Sequence, residues 1–325
     1  MEALIYEKMK KITLIVGAGV NKEIHEGIDL GGELLQNISD RVTDITSPNN
    51  QYLSKLLNTI NICETIRNKF VKDINRYKIN YESPSIDDFL YKIETLSEFS
   101  DRKDEYLKIS KASIIFHVLG FEGTDTQKRI ANDIKDGSSW LNVLSKYMSE
   151  SVFSGKHTNL NIVTFNYDRI LEYYLLTAFN ANKNILDFIN NHIYHVYGRI
   201  GCIEKVMPRK LRGMKERTIP FGLPNNKIHV IEKQIDHIKL IFEERNVGKS
   251  IKEVINESDE LLIMGYGFDY INNIKIGLDL VKKSSNVRIA VYPNIDQTKE
   301  KRIRSFIDSG IIETYSCSDF LKKYM

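Results

Sequence analysis

Lys11-Ile12-Thr13-Leu14-Ile15-Val16-Gly17-Ala18-Gly19 decides how the rest of the chain is read. A short apolar, β-branched run forms a strand pattern, and a Gly-x-Gly ending to such a strand is how a nucleotide-binding α/β core begins. Glycine at this point lets backbone N–H groups approach a diphosphate with no Cβ in the way. The full dinucleotide fingerprint is not completed, because Val20-Asn21-Lys22 stands where a third glycine would fall. Gly-Ala-Gly turns also join strands to helices for structural reasons alone, so the turn predicts a fold before it predicts a ligand.

Working outward, further strand patterns occur at Asn161–Thr164, His192–Tyr197, Lys227–Ile231, Glu260–Met264, Val287–Tyr292 and Ile311–Tyr315. Several are apolar almost throughout rather than alternating, which suits strands covered by helices on both faces. The pattern predicts an α/β protein with a Rossmann-like doubly wound parallel sheet. The interval 46–157 is different. It has no strand pattern but carries helical spacing at Leu53, Leu56, Leu57 and Ile60, and again at Trp140, Leu141, Leu144, Tyr147 and Met148. It reads as a large helical insertion, entered through Ser47-Pro48-Asn49-Asn50 and left near Ser154-Gly155-Lys156. Residues 1–45 and 158–325 then form the core.

Composition excludes several classes. With 325 residues and 42% hydrophobic content the chain can bury a large core. Its 46 basic and 43 acidic residues leave a net charge of +3, so global charge predicts neither direct nucleic-acid binding nor membrane binding. Cys63, Cys202 and Cys317 are an odd number, far apart, with no Cys-x-x-Cys pair; this argues for a reducing, cytoplasmic setting without a disulfide framework. Ile12–Val16 is too short for a signal-peptide core or a membrane span.

Three further constellations follow the glycine turn in order. Asn161-Ile-Val-Thr-Phe-Asn-Tyr-Asp168 is a buried-type strand ending in Thr164, Asn166 and Asp168, and ligands of open α/β sheets sit at such carboxyl ends. Asp168 also suits a helix N-cap, with Asn166 in the turn before it. His192-Ile-Tyr-His-Val-Tyr-Gly198 is a strand whose period of two predicts Ile193, His195 and Tyr197 on one face. His195 there is either a general base or a packed, hydrogen-bonded core histidine. Leu261-Leu-Ile-Met-Gly-Tyr-Gly-Phe-Asp269 delivers a second Gly-x-Gly turn, and Tyr292-Pro293-Asn294 follows the next strand.

Taken in order, Gly17-Ala18-Gly19, Thr164-Phe165-Asn166-Tyr167-Asp168, His195-Val-Tyr-Gly198 and Gly265-Tyr266-Gly267 resemble the sirtuin-like NAD-consuming family, and Gly31-Gly32-Glu33-Leu34-Leu35 is similar to the segment after the first glycine turn in its bacterial members. The resemblance covers the sheet-forming parts and not the helical insertion. It implies that NAD is the substrate, that Asn166 and Asp168 surround the nicotinamide ribose, and that Gly17, Ala18, Gly19, Asn21, Thr164, Gly265 and Tyr266 bind NAD, with Asn294 near the adenosine ribose. It departs from the family in two places. The family's histidine immediately before Gly198 is here Tyr197, with His195 two positions earlier, so the base is His195, Tyr197 or neither. The four-cysteine zinc module of sirtuin deacylases is absent, which disfavours a protein deacylase and implies no metal.

The physical logic of NAD cleavage fits these residue types. Departure of nicotinamide leaves a ribose with oxocarbenium character, which positioned carboxylate and amide groups stabilise without covalent help. The resemblance implies a zinc-free NAD hydrolase that depletes NAD in antiphage defence by abortive infection, gated as a homo-oligomer or with a HerA-type hexameric ATPase partner. The competing reading is a non-catalytic sensor that binds NAD or an ADP-ribose derivative. Two other segments have plainer readings: Lys205–Arg217, with its six basic residues, as a solvated loop in preference to a lid or a surface for an acidic partner, and Ser85-Ile86-Asp87-Asp88-Phe89 as a capped helix start in preference to a family-like place near the substrate cleft.

Overall fold

The structure, a computed structural model, describes residues 10–27, 29, 31–81, 85–154, 158–203, 218–223, 228–235, 238–239, 248–281, 286–291, 297–307 and 310–325. Six parallel strands form the main sheet: β1 (Lys10–Val16), β2 (Thr158–Thr164), β3 (Ile193–His195), β4 (Glu260–Met264), β5 (Asn286–Val291) and β6 (Ile311–Thr314). Their spatial order is β3-β2-β1-β4-β5-β6, the Rossmann order, in which the chain first winds one way from β1 and then returns to β1's other edge. Cys202–Ile203 and Thr218–Ile219 pair separately as a minimal parallel ladder.

The helices are α1 (Gly31–Thr43), α2 (Gln51–Thr59), α3 (Glu64–Asn80), α4 (Ile86–Thr95), α5 (Lys103–Phe121), α6 (Thr124–Asp136), α7 (Trp140–Tyr147), α8 (Ile170–Ala178), α9 (Lys183–His192), α10 (Ile228–Glu232), α11 (Gly248–Asn256), α12 (Tyr270–Ile276), α13 (Gln297–Phe306) and α14 (Cys317–Tyr324). Strand alternation sorts the sheet's side chains into two cores. Ile12, Leu14, Val16, Leu262 and Met264 face a cluster built with α6–α9 and α14. Ile15, Val163, Leu261 and Ile263 face a second cluster built with α11–α13. Near-continuous apolar strands are thus buried on both sides, as the sequence predicts.

A third core lies apart from the sheet. Leu35, Ile38 and Val42 of α1 pack with α2–α5 and with Ile200, Ile219, Ile231, Ile235 and Ile238. So α1, which precedes residue 46, belongs to this helical lobe by packing, whereas α6 and α7, which precede residue 157, return to the sheet. The strand expected at Lys227–Ile231 is instead the short helix α10. The reason lies in the spacing: Ile228 and Ile231, three apart, share one face of a helical turn and both pack against the lobe, whereas a strand would split them between two faces.

Candidate functional site

Strand register sets the site. Val16 pairs with Thr164 and Met264, Thr164 with His195, and Met264 with Ala290, so four strands end on one row and β5 runs one residue past it, to Val291. The residues just beyond that row enter a crevice of about 750 Å³ at the point where the strand order reverses. This is where open α/β sheets bind ligands, and the volume lies within the usual range of roughly 300–1,000 Å³ for small-ligand sites. One wall is made by Gly17–Gly19, Phe165–Asp168, Tyr197 and Gly265–Gly267. The facing wall comes from the helical lobe, through Ser85–Asp88 at the start of α4 and His117, Val118 and Phe121 on α5.

The two glycine turns are needed by each other as much as by any ligand. Gly17 N–H donates to Met264 O at 3.2 Å and Gly19 N–H to Gly265 O at 3.1 Å, so two of the groups read as diphosphate donors are engaged within the protein. A Cβ on Gly17 would lie 2.4 Å from Gly265 O. Gly265 has φ of +61°, in the left-handed region, and a Cβ there would lie 2.4 Å from Val20 N. After Gly17 the chain enters a 3₁₀ turn, Ala18–Glu23, instead of a long α-helix.

Asn166 and Asp168 reach the crevice as expected, each held differently. Thr164 Oγ1 accepts the Asn166 N–H at 3.0 Å, which fixes the turn, and Thr164 itself stays buried beneath it. Asn166 Oδ1 is shut away from solvent and has no hydrogen-bond partner in the protein. Asp168 has both oxygens engaged: Oδ1 accepts the Ile170 N–H at 3.0 Å, starting α8, and Oδ2 accepts from Asn21 Nδ2 at 2.8 Å. Asn21, read as a ligand-binding residue, is buried and spends its amide on Asp168, making it a positioning residue. Burial raises the Asp168 carboxyl to about 7, with the charges of Glu122 and Glu172 adding to it against the two hydrogen bonds.

His195 and Tyr197 do not share a face. The strand ends at His195 and a turn follows, so the period of two stops there. His195 does not line the crevice, its Nε2 lying 2.8 Å from Glu172 Oε1 and its Nδ1 3.4 Å from the Asn166 carbonyl. Although burial opposes ionisation of Glu172, His195 and Arg199 hold its carboxyl down at about 2. Tyr197 takes the crevice position: it stacks on Tyr167 with centroids 5.5 Å apart, and its hydroxyl donates to Asn272 Oδ1. Burial, with Asp87 nearby, drives the Tyr197 phenol well above its ordinary value, so it is a neutral hydroxyl at physiological pH. His195→Ala is therefore expected to lower stability by about 1–3 kcal/mol in urea unfolding, by leaving the buried Glu172 with only the longer contact to Arg199, and to slow turnover far less than loss of a crevice side chain. A collapse of turnover at unchanged stability would contradict this placement.

Residues that sequence reading did not place in the site include Tyr167, His117 and Asp269, while Asp87, read first as part of a helix start and second as near the cleft, lines it. Burial, with Arg41 adding to it, drops His117 to about 3, so its imidazole is neutral where it lines the crevice. Asp87 was visible as one of two acids at a helix start. The Ser85 hydroxyl caps Asp88 N–H at 3.2 Å, which leaves Asp87 without a capping task. Asn294 and the basic segment 205–217 lie outside the described residues. Among the described residues no three His, Cys, Asp or Glu side chains gather as a metal site, and no helix is long and apolar enough to cross a membrane. No protein-family model matches the chain, and no curated protein matches it.

Proposed function

We propose that the chain binds NAD in this crevice and hydrolyses it to nicotinamide and ADP-ribose. The observation that carries the reading is the Asn166 carboxamide oxygen, buried without a partner at the carboxyl end of β2 beside Asp168. A buried acceptor left unsatisfied costs roughly 1–3 kcal/mol, a cost that a ribose hydroxyl or an ordered water would remove. The aromatic wall of Phe165, Tyr167, Tyr197 and Tyr266 suits a flat base, with Phe165 stacked on Tyr266 at a centroid distance of 4.6 Å. Fixed dipoles and carboxylates around a developing cation lower its energy without reorganisation in the transition state.

The biological setting comes from the resemblance: NAD depletion in antiphage defence, restrained until a homo-oligomer or a HerA-type ATPase complex assembles. Incubation of the purified chain with NAD, alone and with such a partner, should release nicotinamide and ADP-ribose in equal amounts by liquid chromatography. The second reading, a sensor that binds without turnover, is favoured by one feature, the displacement of His195 from the crevice. Saturable NAD binding with no nicotinamide release in any assembly would select it. Absence of both binding and release would remove both readings.

A further inference from the structure

Five carboxylates line the crevice: Asp29, Asp87, Asp88, Asp168 and Asp269. Four are committed to the protein. Asp29 accepts from the Asn37 amide. Asp88 accepts from Tyr77 Oη at 2.6 Å and Lys92 Nζ at 2.5 Å. Asp168 is held through both oxygens, and Asp269 Oδ1 caps α12 by accepting the N–H groups of Ile271 and Asn272 at 3.0 and 3.1 Å. Asp87 is the exception: its Oδ1 is sealed from solvent without a hydrogen-bond partner, although the residue lines the crevice. It is delivered by the first turn of α4, in the helical lobe, and lines the same crevice as Asn166.

We propose that Asp87 is the catalytic base of NAD hydrolysis, an inference that rests on the hydrolase reading above. The carboxylate takes a proton from the water whose oxygen bonds to the anomeric ribose carbon. The carbon–nitrogen bond breaks with its electron pair retained by the nicotinamide nitrogen, and the proton passes from Asp87 to solvent. The reaction thus consumes one water and releases nicotinamide, ADP-ribose and a proton. In this arrangement the helical lobe completes the site, and a carboxylate does the work of a base, since His195 does not line the crevice and Tyr197 is a neutral phenol bonded to Asn272. The charges facing Asp87 are Asp269 and Lys275, and the phenols of Tyr197 and Tyr266 lie within its field. Burial, then Asp269, lifts the Asp87 carboxyl to about 6 against the pull of Lys275, which suits a base working near neutrality.

The test uses the full chain in its active assembly. In the wild type, kcat/KM should fall as pH drops through about 6, since protonation disables the base. Asp87→Asn should lower kcat by roughly 10²–10⁴-fold and lose that limb, while NAD still raises the unfolding temperature as it does in the wild type. Because the folded-state carboxyl is raised above its unfolded value, the wild type should lose stability relative to Asp87→Asn as pH rises from about 4 to about 6. Asp87→Ala with azide, a nucleophile that gives up no proton, should form ADP-ribosyl azide and regain rate. Native kcat and an unchanged pH profile in Asp87→Asn would overturn the base assignment and leave the hydrolase reading standing. A wild type that releases no nicotinamide in any assembly would end both. Should Asp87→Asn fail to fold, a wild-type profile flat through pH 6 would still overturn the proposal.

Discussion

Replacing Glu122 with leucine is expected to destabilise the protein by about 3–5 kcal/mol, read as a lower urea midpoint at unchanged slope. Glu122 and Arg169 have fully buried side chains. Glu122 Oε1 accepts the Arg169 main-chain N–H at 2.8 Å and Nε at 3.1 Å, while Oε2 is bonded to Nη2. The guanidinium also donates to Ile219 O and Pro220 O, each at 2.9 Å. This network fastens the end of α5 to the turn that carries Asn166 and Asp168. Removing one partner strands a charge in a dry interior, which costs more than the pair contributes against an apolar replacement. Glu122→Leu combined with Arg169→Met should therefore recover part of the loss, though not all of it, because the two carbonyls lose their donors. A single variant within 1 kcal/mol of the wild type would show that the network does not anchor the turn.

Asn166→Ala is expected to reduce nicotinamide release by roughly 10²–10³-fold, the usual effect of deleting one preorganised polar group at a charge-developing centre. The fold should survive. The hydrogen bonds that fix Asn166 use its main chain, through N–H to Thr164 Oγ1 and the carbonyl facing His195, so alanine keeps them. The side-chain oxygen has no partner to abandon, and its loss removes an unsatisfied buried group. Unfolding temperature and turnover should be measured on the same preparation. Native turnover with native stability would take Asn166 out of the reaction.

Much of the fold was legible because it depends on local pattern. Glu260–Met264 is a strand with the bounds its apolar run predicts, and Lys11–Val16 falls within β1. Legibility failed where a pattern was short or ambiguous. Ile228 and Ile231 are β-branched and suit a strand by propensity, yet their spacing of three puts both on one face of α10, against the lobe. His195 and Tyr197 carry a strand-like spacing across a strand that stops after three residues. Periodicity cannot report where a ladder ends, because that depends on how far the neighbouring strand β2 extends.

The sequence by itself determined the doubly wound parallel core, the helical character of the interval between β1 and β2, and the arrival of Asn166 and Asp168 at a strand's carboxyl end. All three follow from composition and spacing within a few turns of chain. Only the tertiary structure decided which groups stay available there. Asn21 is spent on Asp168, His195 on Glu172, and Gly17 and Gly19 on the facing turn at Gly265. Asp87 enters the crevice from a helix about eighty residues before Asn166. Hydrogen-bond partners so distant in sequence are chosen by the packing of the helical lobe against the sheet ends, and no local pattern encodes which acid that packing leaves without a partner.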